Sequence, residues 1–114
     1  MKVKQTNTLK VISDFSFANQ KLVINPNDGF DLGLLMSETT VEVYFGNNSE
    51  KPANPENTPQ YARLYQKNEC KLGTVEMSIK AANNLGGARH VRLVLRQKEP
   101  YPLLLIIPAG GSVK

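Results

Sequence analysis

Hydrophobic residues recur at every second position through most of the chain. Val41, Val43 and Phe45 alternate with Glu42 and Tyr44, and Val75, Met77 and Ile79 alternate with Glu76, Ser78 and Lys80. Val91, Leu93 and Leu95 alternate with Arg92 and Arg96, with Val94 as the exception. Shorter runs pair Leu9 with Val11, Phe15 with Phe17, and Leu22 with Ile24. A strand sends successive side chains to opposite faces, so this period predicts half-buried β-strands whose apolar members form the core. Leu103 to Ile107 is apolar on both faces and is bracketed by Pro100, Pro102 and Pro108. It is too short and too hemmed in for a helix, and predicts a central strand covered on both sides, with Leu103, Leu105 and Ile107 in the core.

Helical signals are few. Tyr61, Leu64 and Tyr65 fall at helical spacing, but Tyr61, Arg63 and Tyr65 also share one face of a strand. The strand is preferred, because Lys71-Leu72-Gly73-Thr74 behind it reads as a connection to another strand. Lys80 to Leu85 predicts at most one helical turn, ending at Gly86-Gly87. Asn25-Pro26-Asn27-Asp28-Gly29 is a turn-and-cap signal. Residues 46–59 hold three prolines, four asparagines and almost nothing apolar, which predicts an exposed loop. Together these signals predict an all-β chain with about eight strands and no βαβ alternation. The expected architecture is a single antiparallel β-sandwich, jelly-roll-like, with a short extended arm at 1–7 and a loose tail at 109–114.

The length of 114 residues suits one such domain, and 40% apolar content excludes a mostly disordered chain. The longest apolar run is Leu103 to Ile107, far short of the roughly 20 residues that a membrane-spanning helix needs. No apolar stretch follows the basic residues at the start, and the single Cys70 cannot form an intrachain disulfide. These features lead to the expectation of a chain made in the cytoplasm without a signal peptide. Charge is unevenly spread: residues 1–27 carry net +3, residues 28–69 net −4 and residues 70–114 net +5. Blocks of opposite sign suit pairing between copies as well as attraction to anions.

Candidate chemistry is sparse. His90 is the only imidazole and stands between Arg89 and Arg92, whose charge disfavours the imidazolium. Cys70 has no histidine beside it and reads as a small buried apolar residue. One His and one Cys cannot make a structural zinc site, and the oxygen-rich turn at Asn25 to Asp31 lacks a calcium loop's bidentate Glu. The acids suggest no catalytic pair, and neither Gly86-Gly87 nor Gly110-Gly111 is followed by a phosphate loop's lysine and hydroxyl. Asn47-Asn48-Ser49 matches a glycosylation acceptor only as a chance pattern. The reading is therefore a non-enzyme with no catalytic residue, no metal and no cofactor.

The one cluster with shape is basic. Arg92 and Arg96 share a strand face with His90 and, if the strand runs on, with Lys98; Arg89 precedes them. Together with Tyr61, Tyr65 and Tyr101 they form the expected interface, with Glu50, Glu56 and Glu69 as candidate partners. The function expected is a structural subunit that self-associates or binds another subunit, as in a phage capsid, vertex or decoration protein, with incorporation in a virus particle. A homo-oligomer is expected. The alternative is a small basic β-barrel that binds single-stranded nucleic acid on the same arginines and tyrosines. A carbohydrate- or ligand-binding module is the third reading, weakened by the absence of Trp.

Overall fold

Nine strands and two short helices follow one another in the computed structural model, which describes residues 3–14, 20–48, 51–52, 60–83, 85 and 88–109. In chain order they are β1 (Val3–Gln5), β2 (Leu9–Ser13), β3 (Lys21–Ile24), α1 (Pro26–Asp31), β4 (Glu38–Asn48), β5 (Lys51–Pro52), β6 (Gln60–Gln66), β7 (Thr74–Met77), α2 (Ile79–Asn83), β8 (His90–Arg96) and β9 (Leu103–Pro108). The predominance of strand is as expected. The architecture is not: the sheet runs β8-β2-β7-β3-β6-β4 and is joined through β9, which pairs with both β4 and β8. This closes a seven-stranded barrel in place of the expected sandwich. Nor is the sheet purely antiparallel, since β2 runs parallel to β7, β3 to β6 and β4 to β9. Each parallel pair joins strands far apart in sequence, which alternation within one strand cannot reveal.

The barrel is filled by the inward members of the alternating runs. Leu9, Leu22, Ile24, Val41, Val43, Leu64, Val75, Met77, Val91, Leu93, Leu95, Leu104 and Ile106 are all buried in one cluster. The middle of a small closed barrel is filled by such side chains, which form a packed core there. Leu103 to Ile107 is covered on both faces as expected, but the inward members are Leu104 and Ile106. Leu105 and Ile107 instead join Val94, with Tyr44 and Leu103 against them, in a second buried cluster on the outside of the wall. That outer cluster explains Val94, the one break in the alternation of β8.

The pairings give the barrel two ends. β3 and β6 run the same way, so the connection 25–37 after β3 and the connection 67–73 after β6 emerge at one end. Here α1 closes the barrel, placing Leu32 fully buried beneath the core. Asn25 is its N-cap, with its side-chain oxygen 2.8 Å from the Asn27 N–H, and Pro26 opens the first turn. The expected turn is thus a capped six-residue helix. At the opposite end α2 follows β7. Buried Ser78 caps it, accepting from the Ala81 N–H at 3.0 Å. This cap ends the run Val75, Met77, Ile79 early, so Ile79 is helical and exposed, contrary to its expected place in the core.

The segment expected as an arm contains β1, which pairs with Arg96, Leu95 and Val94 of β8. β2 pairs farther along the same edge of β8, and Thr6 lies in the interruption between them. Its N–H donates to the Leu93 carbonyl at 2.9 Å, and its hydroxyl accepts from the Leu93 N–H at 3.1 Å. In the segment 46–59, residues 46–48 end β4 and Lys51–Pro52 form β5 paired to it. Phe15, Phe17, Glu50, Glu56, Gly86, Gly87 and residues 53–59 and 110–114 lie outside the described residues. Among those described, no helix is long and apolar enough to cross a membrane.

Candidate interaction surfaces

Alternation along the wall decides which predicted site residues meet. Arg96 lies opposite Leu103, Leu103 opposite Glu42, and Glu42 opposite Tyr61, forming one row across β8, β9, β4 and β6. At strand spacing, Arg96 and Tyr61 are about 14 Å apart on the same outer side. Tyr101 joins them from the loop before β9, packing edge-to-face on Tyr61 with ring centroids 5.6 Å apart. Tyr65 faces outward too, but four residues along β6 it is about 13 Å from Tyr61. Its ring is flanked instead by the Lys21 and Lys67 ammonium groups, at 5.6 and 5.5 Å from the centroid. Arg89 precedes β8, exposed, and its carbonyl accepts from the Val11 N–H at 2.8 Å.

The basic face is partly engaged within the chain. The Arg92 guanidinium donates to the Gln5 side-chain oxygen. Lys98 pairs with Glu42 at 2.9 Å, and hydrogen bonding to that carboxylate raises the lysine's pKa above its ordinary value. Arg63, a further base on the outer wall, pairs with Glu38 at 3.1 Å. Arg92 and Arg96 moreover flank Val94 of the outer apolar cluster rather than forming a continuous stripe of charge. Glu69 is exposed in the connection 67–73.

A second surface escaped the sequence reading. Phe30 in the last turn of α1, and Leu35 and Met36 in the connection from α1 to β4, are 74%, 92% and 70% exposed. Leu72, at 58%, projects from the 67–73 connection at the same end of the barrel. These two connections are tied together. The Gly73 N–H donates to the Asp28 carboxylate at 2.9 Å, and the Asn25 carboxamide donates to the Cys70 carbonyl at 2.9 Å. The Lys67 N–H reaches the Ile24 carbonyl at 2.9 Å, and the Gln66 carboxamide holds the Met36 carbonyl at 2.6 Å. Four large apolar side chains therefore stand in solvent on a braced support. The sequence holds a weak signal for three of them: Phe30, Leu35 and Met36 cluster without strand alternation beside a turn.

The titratable groups beneath this surface are structural. Cys70 is buried, with its sulfur 3.6 Å from the Val23 carbonyl and 3.4 Å from the Thr74 hydroxyl. Burial pushes its thiol pKa up, which favours the protonated, unreactive form. Asp28 is buried as well. Loss of hydration raises its pKa, the Gly73 N–H opposes that, and the nearby Asp31 charge adds to it. His90 lies half-buried on the outer face of β8. Among the described residues, no group of three or more His, Cys, Asp or Glu side chains is placed to hold a metal ion. In comparisons with known proteins, the chain matches no family model, no curated protein and no solved structure.

Proposed function

We propose that this chain is a non-catalytic assembly subunit that self-associates through the end of the barrel carrying Phe30, Leu35, Met36 and Leu72. The observation that carries the reading is the exposure of these side chains on a support fixed by four hydrogen bonds. Burying one such side chain is worth about 1.5–3 kcal/mol, so leaving several in water favours a partner that covers them. A preorganised surface loses little conformational entropy on docking. Acidic Asp31 and Glu69 and basic Lys67 and Lys71 are all exposed at this end, so two copies related by a twofold axis can match acid to base around an apolar centre. A virus-type particle built of rigid β subunits, such as a capsid, vertex or decoration protein, is the setting we assign to it.

Sedimentation velocity on the purified chain tests this. The wild type sediments as an oligomer, and the Leu35→Asp/Met36→Asp variant as a folded monomer. The Arg92→Glu/Arg96→Glu variant measures what the basic face adds; its effect is smaller, because exposed ion pairs contribute little each. A wild-type monomer at millimolar concentration overturns the proposal. The second reading, a single-stranded nucleic-acid binder, is favoured by Tyr61 and Tyr101 half in solvent on the same side of the barrel as Arg96. An oligonucleotide titration at several salt concentrations decides it, since phosphate contacts give a steep salt slope.

A further inference from the structure

At the end of the barrel opposite the apolar connections, the packed core of the described residues stops short of the rim. A cavity of about 700 Å³ opens between α2 and the β3, β4, β6 and β9 side of the mouth. Its floor is made by inward-facing barrel residues, Leu22, Val43, Ala62 and Ile106, all buried, with Phe45 partly buried beside them. Ala81, the buried residue of α2, forms the wall on the helix side. The rim has different chemistry: the carboxamide-bearing Gln20, Gln60 and Asn83, with Lys80 at its edge.

We infer that this mouth is a binding site for an uncharged, amphipathic small molecule, apolar at one end and hydrogen-bonding at the other. Three features select that class. The volume falls in the range of about 300–1,000 Å³ typical of small-molecule sites, and barrel mouths are a usual place for them. The floor side chains offer no hydrogen-bond partner, so whatever part of the ligand reaches them is apolar; a sugar would strip its hydroxyls of water there without replacement. The carboxamides at the rim both donate and accept, which suits a neutral polar group such as a carbonyl, amide or hydroxyl. The small side chains of Ala62 and Ala81 leave the space open. This site is separate from the proposed self-association surface and lies at the other end of the molecule.

Titration with Nile red, a neutral apolar dye bearing a carbonyl, tests the inference on the full chain. Saturable one-to-one binding with a blue-shifted emission is expected. Ala81→Trp, which fills the cavity from the helix side, should weaken it at least ten-fold, and Gln60→Ala several-fold. Leu35→Asp, at the far end, should leave it unchanged. Circular dichroism and a thermal melt check that each variant folds; if Ala81→Trp does not, Gln60→Trp at the exposed rim takes its place. Absence of saturable binding overturns the site. So does undiminished affinity in a folded cavity-filling variant, or a loss in Leu35→Asp as large as in Ala81→Trp, which would place the dye on the exposed connection. Displacement of the dye by simple sugars but not by neutral lipids such as monoacylglycerols would overturn the ligand class.

Discussion

Replacing Thr6 with Val tests whether the first residues are part of the barrel. Thr6 is 4% exposed and lies where the β8 edge passes from β1 to β2. At this break its hydroxyl accepts the Leu93 N–H at 3.1 Å and donates to the Asn7 carbonyl at 2.7 Å. Val has the same shape and no acceptor, so Thr6→Val leaves the Leu93 N–H buried and unpaired. An unsatisfied buried donor costs about 1–3 kcal/mol, a sizeable share of the roughly 5–15 kcal/mol that stabilises a domain. The Asn7 carbonyl adds little, because Asn7 is exposed and water replaces the lost donor. Thr6→Ser keeps the hydroxyl and loses one methyl, about 0.8 kcal/mol. In urea, with a slope of about 2 kcal/mol per molar, Thr6→Val should lower the midpoint by about 0.5–1.5 M and Thr6→Ser by about 0.4 M. Exchange of the Leu93 amide with deuterium should quicken in Thr6→Val alone. A Thr6→Val variant no less stable than Thr6→Ser, with Leu93 still protected, would refute the role given to this hydroxyl.

Other outcomes follow from the helix-closed end. Asn25→Ala removes the α1 cap and the bond to the Cys70 carbonyl, and should cost about 1–2 kcal/mol in the same urea assay. Asp28 has its pKa raised above the ordinary 3.8, so the folded chain binds this proton more readily than the unfolded chain between that value and the raised one. Its contribution to stability therefore increases as pH falls through the window, and the gap in stability between wild type and Asp28→Asn should shift toward wild type on acidification. Gly73 adopts φ of 82°, so Gly73→Ala should cost about 1–2 kcal/mol through the backbone alone, there being open space around its α-carbon. On the barrel wall, Lys98→Met strands the mostly buried Glu42 carboxylate and should destabilise the chain more than the Glu42→Gln/Lys98→Met double variant, as a denaturation cycle would show.

Much of the wall was legible in the sequence because alternation records which face of a strand is buried. Val41 and Val43, Val75 and Met77, and Val91, Leu93 and Leu95 point inward as their spacing implies. Alternation is silent about which strands pair, and a filled barrel buries one face of each strand just as a sandwich does. Closure depends on β9 meeting both β4 and β8, a long-range choice with no local mark. Ile79 was misplaced because Ser78, read as the polar member of a strand, is the cap of α2. Of the arginines and tyrosines, Arg96, Tyr61 and Tyr101 come together on one side of the barrel, whereas Arg92, Tyr65 and Arg89 lie apart from them, a grouping set by strand pairing that alternation does not record. Phe30, Leu35 and Met36 carry no local mark of their exposure, because neighbouring Leu32, in the same apolar cluster beside a turn, is fully buried.

Self-association, as proposed, brings copies of this chain together at the Phe30, Leu35, Met36 and Leu72 end. Deuterium exchange measured across a concentration series tests it most directly. Amides of residues 30–37 and 70–73 should gain protection as concentration rises, while those of Arg92 and the α2 segment change little. Uniform exchange at all concentrations, or protection gained only along β8, would contradict it.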